Sequence, residues 1–184
     1  MSVFTNHTPE TAPNGASEVL AQVKERYGFI PNLAGYLAES PTTLEALLAM
    51  ANAYDGSSLT PQEQQVVQLT VSLLNGCSYC KTAHTALSRK SEISSDDLKA
   101  LLAFEPMPNK RLGEIRDFVR LLHERRGHVT ENETLSFIDS GFTRAQVFEI
   151  VLGLAIKTLT NYANHLAGAT PNPEFIAMVE AVEA

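Results

Sequence analysis

Two stretches of this chain open alike and then run into long apolar segments. Thr60-Pro61-Gln62-Glu63 and Thr143-Arg144-Ala145-Gln146 each set a threonine three residues before Glu or Gln. In that pattern the hydroxyl takes the N3 amide and the N3 side chain reaches back to the cap, so each marks a helix start, with Pro61 suited to the first helical position. Beyond the first box, Val66, Val67, Leu69, Val71, Leu73 and Leu74 cover so wide an arc that the helix must be mostly buried. At an offset of 83 positions Val67 falls on Ile150, Leu69 on Leu152, Val71 on Leu154 and Leu73 on Ile156. The match reads as a faint internal duplication, although apolar coincidences between two buried helices also arise by chance. Nowhere does the chain alternate with the period of a strand, so the expected class is all-α, a compact helical fold with two faintly duplicated halves.

The remaining punctuation gives shorter helices. Residues 1–15 carry Thr, Pro, Asn and Gly without periodicity and read as an N-terminal arm, leaving 16–184 as a single all-helical domain. Ser17 caps a helix stopped by Gly28, Ser40-Pro41 starts one ending near Tyr54, and Ser94 starts one that ends before Pro106. The Pro106-Met107-Pro108 segment is the best internal joint. Helices from about Lys110 to Arg126, from Thr130, from Thr143 to Gly168 and from Pro173 to Val182 complete the reading.

Asn75-Gly76 breaks the first greasy helix, and a new one is expected from about Cys77 to Ser88. Cys77 and Cys80 are the two cysteines of the chain, and His84 follows one turn later. At about 100° per residue, Cys80 lies about 60° and His84 about 20° round the helix from Cys77, so the three share a face. Two thiols beside an imidazole suit dithiol and disulfide chemistry, and a helix N-terminus favours a thiolate. Two other readings stay open on these residues. The cysteines can pack as small apolar side chains. Cys77, Cys80 and His84 can also hold zinc with water or a further ligand such as His165 or His123, although structural zinc wants a second ligand pair. His123 and His128 are expected to be exposed near the end of a charged helix.

Leu59-Thr60-Pro61, Val71 through Cys80, and His84 resemble the core motif of the alkylhydroperoxidase D-like proteins within the carboxymuconolactone decarboxylase superfamily. Gly28-Phe29-Ile30-Pro31-Asn32-Leu33, Ser40-Pro41 and Lys157 through His165 resemble the peroxidase-related members of that group. The resemblance implies a helical subunit, assembled as a homo-oligomer (trimer or hexamer), that reduces organic hydroperoxides with electrons from an external thiol or lipoyl-type reductant and without a bound cofactor. It implies that Cys80 attacks the peroxide, that Cys77 condenses with it to a disulfide, and that His84 belongs to a proton relay. That relay usually ends in a glutamate twelve residues before the first cysteine, where this chain has Gln65, whose amide takes up no proton. Glu63 is the nearby carboxylate, but the capping box claims it. Tyr79 stands between the cysteines where the best-known branch has histidine. His165, beside Tyr162 and one turn after Asn161, either lines the cavity or ties two helices together.

A net charge of -7 and a pI near 5.2 disfavour nucleic acid and anionic membrane as partners. The longest apolar run, Val147 to Ile156, is interrupted by Glu149 and too short to span a bilayer. The first residues form no signal-peptide pattern, so the expected location is the cytoplasm, where a cysteine pair points to catalysis or metal rather than a structural staple. The leading function is therefore a thiol-dependent peroxidase or dithiol oxidoreductase. The alternatives are a cofactor-free lactone decarboxylase-type enzyme and a non-enzymatic redox-sensing or zinc-binding helical oligomer.

Overall fold

The computed structural model describes residues 2–180, all of whose regular elements are helices. In chain order they are α1 (Ala16–Tyr27), α2 (Asn32–Leu37), α3 (Pro41–Asp55), α4 (Pro61–Leu74), α5 (Ser78–Lys90), α6 (Ser95–Ala103), α7 (Lys110–Glu124), α8 (Glu131–Asp139), α9 (Arg144–Ala167) and α10 (Pro173–Glu180). Capping boxes are present at Thr60, Thr130 and Thr143, and Ser40, Ser94 and Asn109 cap their helices through side-chain oxygens. Gly15 in the left-handed region, rather than Ser17, caps α1, with no side-chain bond. The last helix is described as far as Glu180, and its expected extension to Val182 lies outside the described residues. No helix among the described residues is long and apolar enough to cross a membrane.

Helix α4 is the centre of the packing, flanked by α7, α5 and α9. Its Val66, Val67, Leu69 and Val71 are fully buried. They join Ile115, Val119, Leu122 and Ile150 in one core, which ends in a stack of Phe118, Phe137 and Phe142 with ring centroids 4.1 and 4.2 Å apart. That core draws on helices from both sides of Pro106, so the proline segment is a turn and not a boundary between cores. A second cluster gathers α1, α2, the start of α3, α5 and Phe175 of α10, and both cysteines belong to it. Residues 2–15 form no helix. They run along α2, where the His7 amide donates to the Gly35 carbonyl at 3.1 Å and Asn6 bonds Asn32.

The approach of α9 to α3 and α4 depends on Gly153. A Cβ there would come within 2.7 Å of Val67 Cγ1 and 2.8 Å of the Tyr54 hydroxyl, both buried. Overpacking of this kind costs about 1–3 kcal/mol, more than the roughly 0.5–1 kcal/mol that alanine gains over glycine inside a helix. Gly153→Ala is therefore expected to lower the thermal midpoint by a few degrees despite its better helix propensity; an unchanged or raised midpoint in a melting experiment would show that α9 has room to move.

Candidate active site

The chain breaks between α4 and α5 in four residues. Asn75 closes α4, Gly76 takes φ 65°, and the Cys77 amide donates back to the Ser72 carbonyl at 3.0 Å. A positive φ is nearly free for glycine and strained for other residues. Cys77 thereby becomes the N-cap of α5, and its Sγ accepts the Cys80 amide at 3.4 Å. Both sulfurs are free thiols in buried residues, each about 2% exposed.

The two thiols differ in what surrounds them. Cys80 faces a cavity of about 360 Å³ whose lining also includes Gln65, Tyr79, His84 and Lys157; Cys77 does not line it. From α9, Asn164 Nδ2 donates to Cys80 Sγ at 3.1 Å. Asn161 adds its amide dipole to the same sulfur without completing a hydrogen bond of normal geometry. The Cys77 thiol as hydrogen-bond donor, then the Lys157 charge and these amides, outweigh burial and bring the Cys80 thiol down from 9.0 to about 5. Giving that hydrogen bond and being buried push Cys77 in the opposite direction. A thiolate and a protonated thiol side by side are the arrangement that attack and resolution require.

His84 does not bond the sulfurs. Its Nδ1 lies 3.0 Å from Gln65 Oε1 and its Nε2 2.8 Å from Lys157 Nζ. An ammonium has no acceptor, so Nε2 accepts from Lys157 and Nδ1–H donates to Gln65. Burial first, and the Lys157 charge second, hold the imidazole well below its ordinary 6.5, so it is neutral. An ammonium on one ring nitrogen opposes metal at the other end of the same ring, and among the described residues no group of three His, Cys, Asp or Glu side chains is placed to hold an ion.

Tyr79 lines the cavity, and its hydroxyl donates to Asn172 Oδ1 at 2.8 Å, tying α5 to the segment before α10. Glu63 and His165 lie elsewhere. The Glu63 carboxylate is buried, accepts the Thr60 amide at 2.7 Å and pairs with Arg111 Nε at 2.5 Å, so it fastens α4 to α7 and does not line the cavity. His165 is exposed on the outer side of α9, away from the cavity, and has no side-chain hydrogen bond to another helix among the described residues. His123, expected to be exposed, is half-buried; its Nε2 donates to Asn75 Oδ1 at 2.8 Å, and Asn75 Nδ2 in turn donates to Asn161 Oδ1 at 2.8 Å. Lys157, Asn161 and Asn164 were not singled out from the sequence as site residues. Their signal was spacing: Ile150, Gly153, Lys157, Asn161 and Asn164 continue one buried stripe of α9, apolar at its start and polar at its end.

Residues 41–107, from α3 through Met107, match the family described as the Carboxymuconolactone decarboxylase family. No match is found among curated proteins. An alkylhydroperoxidase AhpD core structure, an uncharacterized peroxidase-related protein from Ralstonia eutropha JMP134, superposes with a TM-score of 0.85 at 24% identity over 97% of this chain and 96% of the other. A peroxidase-related protein from Silicibacter sp. TM1040 gives 0.77 at 23% identity over 89% and 87%. The debrominase Bmp8 in its apo form gives 0.80 at 16% identity over 99% and 98%. These similarities establish the AhpD core fold.

The proton balance of the site fixes how stability should vary with pH. The unfolded chain binds more protons than the native state at Cys80, between its native value of about 5 and its ordinary 9.0, and at His84 below 6.5. The Cys80 contribution is complete above about 9 and disappears as pH falls towards 5, while His84 adds a growing penalty below 6.5. Above 9 the sign reverses, because Cys77 keeps its proton only in the native state. The reduced protein should therefore melt highest at mildly alkaline pH and progressively lower towards pH 5, and Cys80→Ala should flatten that slope. A midpoint that rises on acidification would contradict the thiolate.

Proposed function

We propose that this chain, an alkylhydroperoxidase D-like member of the carboxymuconolactone decarboxylase superfamily, is a thiol-dependent peroxidase that reduces organic hydroperoxides through Cys80 and Cys77. The observation that carries the reading is the asymmetry of the pair: the low-pKa sulfur opens on the cavity, and its protonated neighbour stands behind it. The Cys80 thiolate attacks the terminal peroxide oxygen. The O–O bond breaks, an alkoxide leaves and takes a proton, and Cys80 becomes a sulfenic acid. The Cys77 sulfur then attacks the Cys80 sulfur; a disulfide forms, and the departing hydroxide leaves with the thiol proton as water. Two electrons pass from the sulfurs to the peroxide, and an external thiol or lipoyl-type dithiol restores both thiols.

Apolar side chains dominate the cavity. Leu33, Leu44, Leu48, Ile156 and Phe175 line it together with the reacting Cys80 and favour an alkyl or aryl hydroperoxide over a small polar one. The same soft thiolate can attack a polarised halogen, and one structure with this fold is a debrominase. A bromoarene therefore belongs in the substrate panel. Turnover of the bromoarene with inertness to every hydroperoxide would replace the reading.

Cys80→Ser is expected to abolish hydroperoxide consumption, whereas Cys77→Ser should complete one oxidation and accumulate a sulfenic acid that a dimedone probe labels on Cys80. Labelling of Cys77 in the converse variant, with activity retained, would reverse the two roles.

Assembly follows from the outer face of α9. Phe148, Val151, Ala155, Tyr162 and Leu166 are exposed at helical spacing, Phe148 by 75% and Leu166 by 73%. So long an apolar strip suits burial against further copies of this chain, as a trimer or hexamer. Sedimentation should give a species heavier than the 20.1 kDa chain, and Phe148→Glu with Leu166→Glu should dissociate it. A wild-type monomer at micromolar concentration would remove the claim.

A further inference from the structure

We propose that Lys157 is both the counter-charge of the Cys80 thiolate and the group that hands a proton to the departing alkoxide, while His84 and Gln65 act by positioning it. This rests on the peroxidase reading above. Lys157 is 3% exposed, on α9 one turn after the close approach at Gly153, and lines the same cavity as Cys80. Among the described residues no carboxylate pairs with it, and its one hydrogen bond goes to a neutral imidazole. A buried ammonium without an anion is strongly disfavoured. The Asp55 carboxylate on the cavity wall is paired with Arg26, which leaves the Cys80 sulfur, whose thiol is lowered in part by that same charge, as the anion for Lys157.

Gln65 sets the tautomer of the ring that Lys157 bonds. Its Oε1 holds the Nδ1–H tautomer of His84 and turns the Nε2 lone pair towards Nζ. A carboxylate at position 65 would compete with the thiolate for the cation and draw protons along the ring. The amide does neither. The proton that Cys80 loses on becoming a thiolate is thus held on Lys157, and attack on the peroxide returns it. Thiolate, ammonium and hydroperoxide become sulfenic acid, free amine and alcohol. The amine then recovers its proton when the reductant regenerates the Cys80 thiol. The other titratable groups around this pair are Cys77 at the cap of α5, Tyr79 and Lys90 on α5, Tyr27 and Arg26 on α1, and Tyr54 and Asp55 on α3, with Arg26 and Asp55 paired to each other. Tyr54 and Tyr79 are pushed up by burial, so neither supplies a proton acceptor near neutral pH.

The test uses the Cys77→Ser background, in which Cys80 alone titrates as a thiol, with Lys157 unchanged or replaced by Arg or Met. Thiolate absorbance gives the Cys80 midpoint. Single-turnover oxidation is followed with tert-butyl hydroperoxide, whose alkoxide needs a proton, and with a peroxycarboxylic acid, whose carboxylate does not. Lys157→Met should raise the Cys80 midpoint by about one unit or more. Lys157→Arg keeps the charge but cannot release a proton; it should hold the midpoint while slowing tert-butyl hydroperoxide by at least about 100-fold and the peroxyacid only slightly. Should the Arg variant not fold, Lys157→Met is expected to be rescued by small alkylammonium ions with tert-butyl hydroperoxide and not with the peroxyacid, and rescue of both or of neither counts against proton transfer. An unmoved midpoint in the Met variant, or equal slowing of both oxidants in the Arg variant, overturns the proposal. Inertness of Cys80 to both oxidants with Lys157 in place overturns the peroxidase reading as well, and so separates the two failures.

Discussion

The site depends on where α4 stops. Had the helix continued through Asn75-Gly76, Cys77 and Cys80 would sit in its middle with their amides committed to carbonyls four residues earlier. The left-handed Gly76 instead restarts the chain, so Cys77 becomes a cap whose sulfur takes the Cys80 amide. Cys80 then lies in the first turn of α5, where unpaired amides and the helix dipole favour negative charge. The break also frees the Asn75 side chain to join His123 to Asn161, which braces the asparagine beside the sulfur.

Helix α9 supplies the other wall. It runs unbroken for 24 residues, and its buried stripe changes character along the way. Ile150 and Gly153 pack against the core, and then Lys157, Asn161 and Asn164 present a cation and two amides to α5. Each of these polar side chains is costly to bury. Together with Cys80 and His84 they partly satisfy one another, leaving Asn161 Nδ2 and Asn164 Oδ1 without hydrogen-bond partners among the described residues.

Local signals carried most of the helix boundaries. Thr60, Thr130, Thr143, Ser40 and Ser94 cap where their side chains predict, because capping is decided within four residues. The cysteine pair and His84 are legible for the same reason, although Cys77 stands at the cap of α5 and not within the helix that carries Cys80 and His84. What the sequence hid was tertiary. The resemblance already places Gln65 at the end of a relay through His84, and the two do bond; Lys157, 73 positions from His84, carries no local signal, and nothing in the spacing turns the ring away from the sulfurs one turn before it. His165 drew notice as a histidine in a polar cluster, yet helical phase puts it outside and Asn161 and Asn164 inside. Phase on the helix, and not chemical type, decides which of these side chains reach the site, and Lys157 shares the inner phase with Asn161 and Asn164.

The central claim is that two neighbouring thiols in unlike environments form one redox unit facing an apolar cavity. Intact-mass analysis of the reduced protein after one equivalent of an alkyl hydroperoxide, followed by peptide mapping, tests it most directly. The expected result is loss of two hydrogen atoms per chain, with the new bond between Cys77 and Cys80. An unchanged mass with both thiols still free would contradict it.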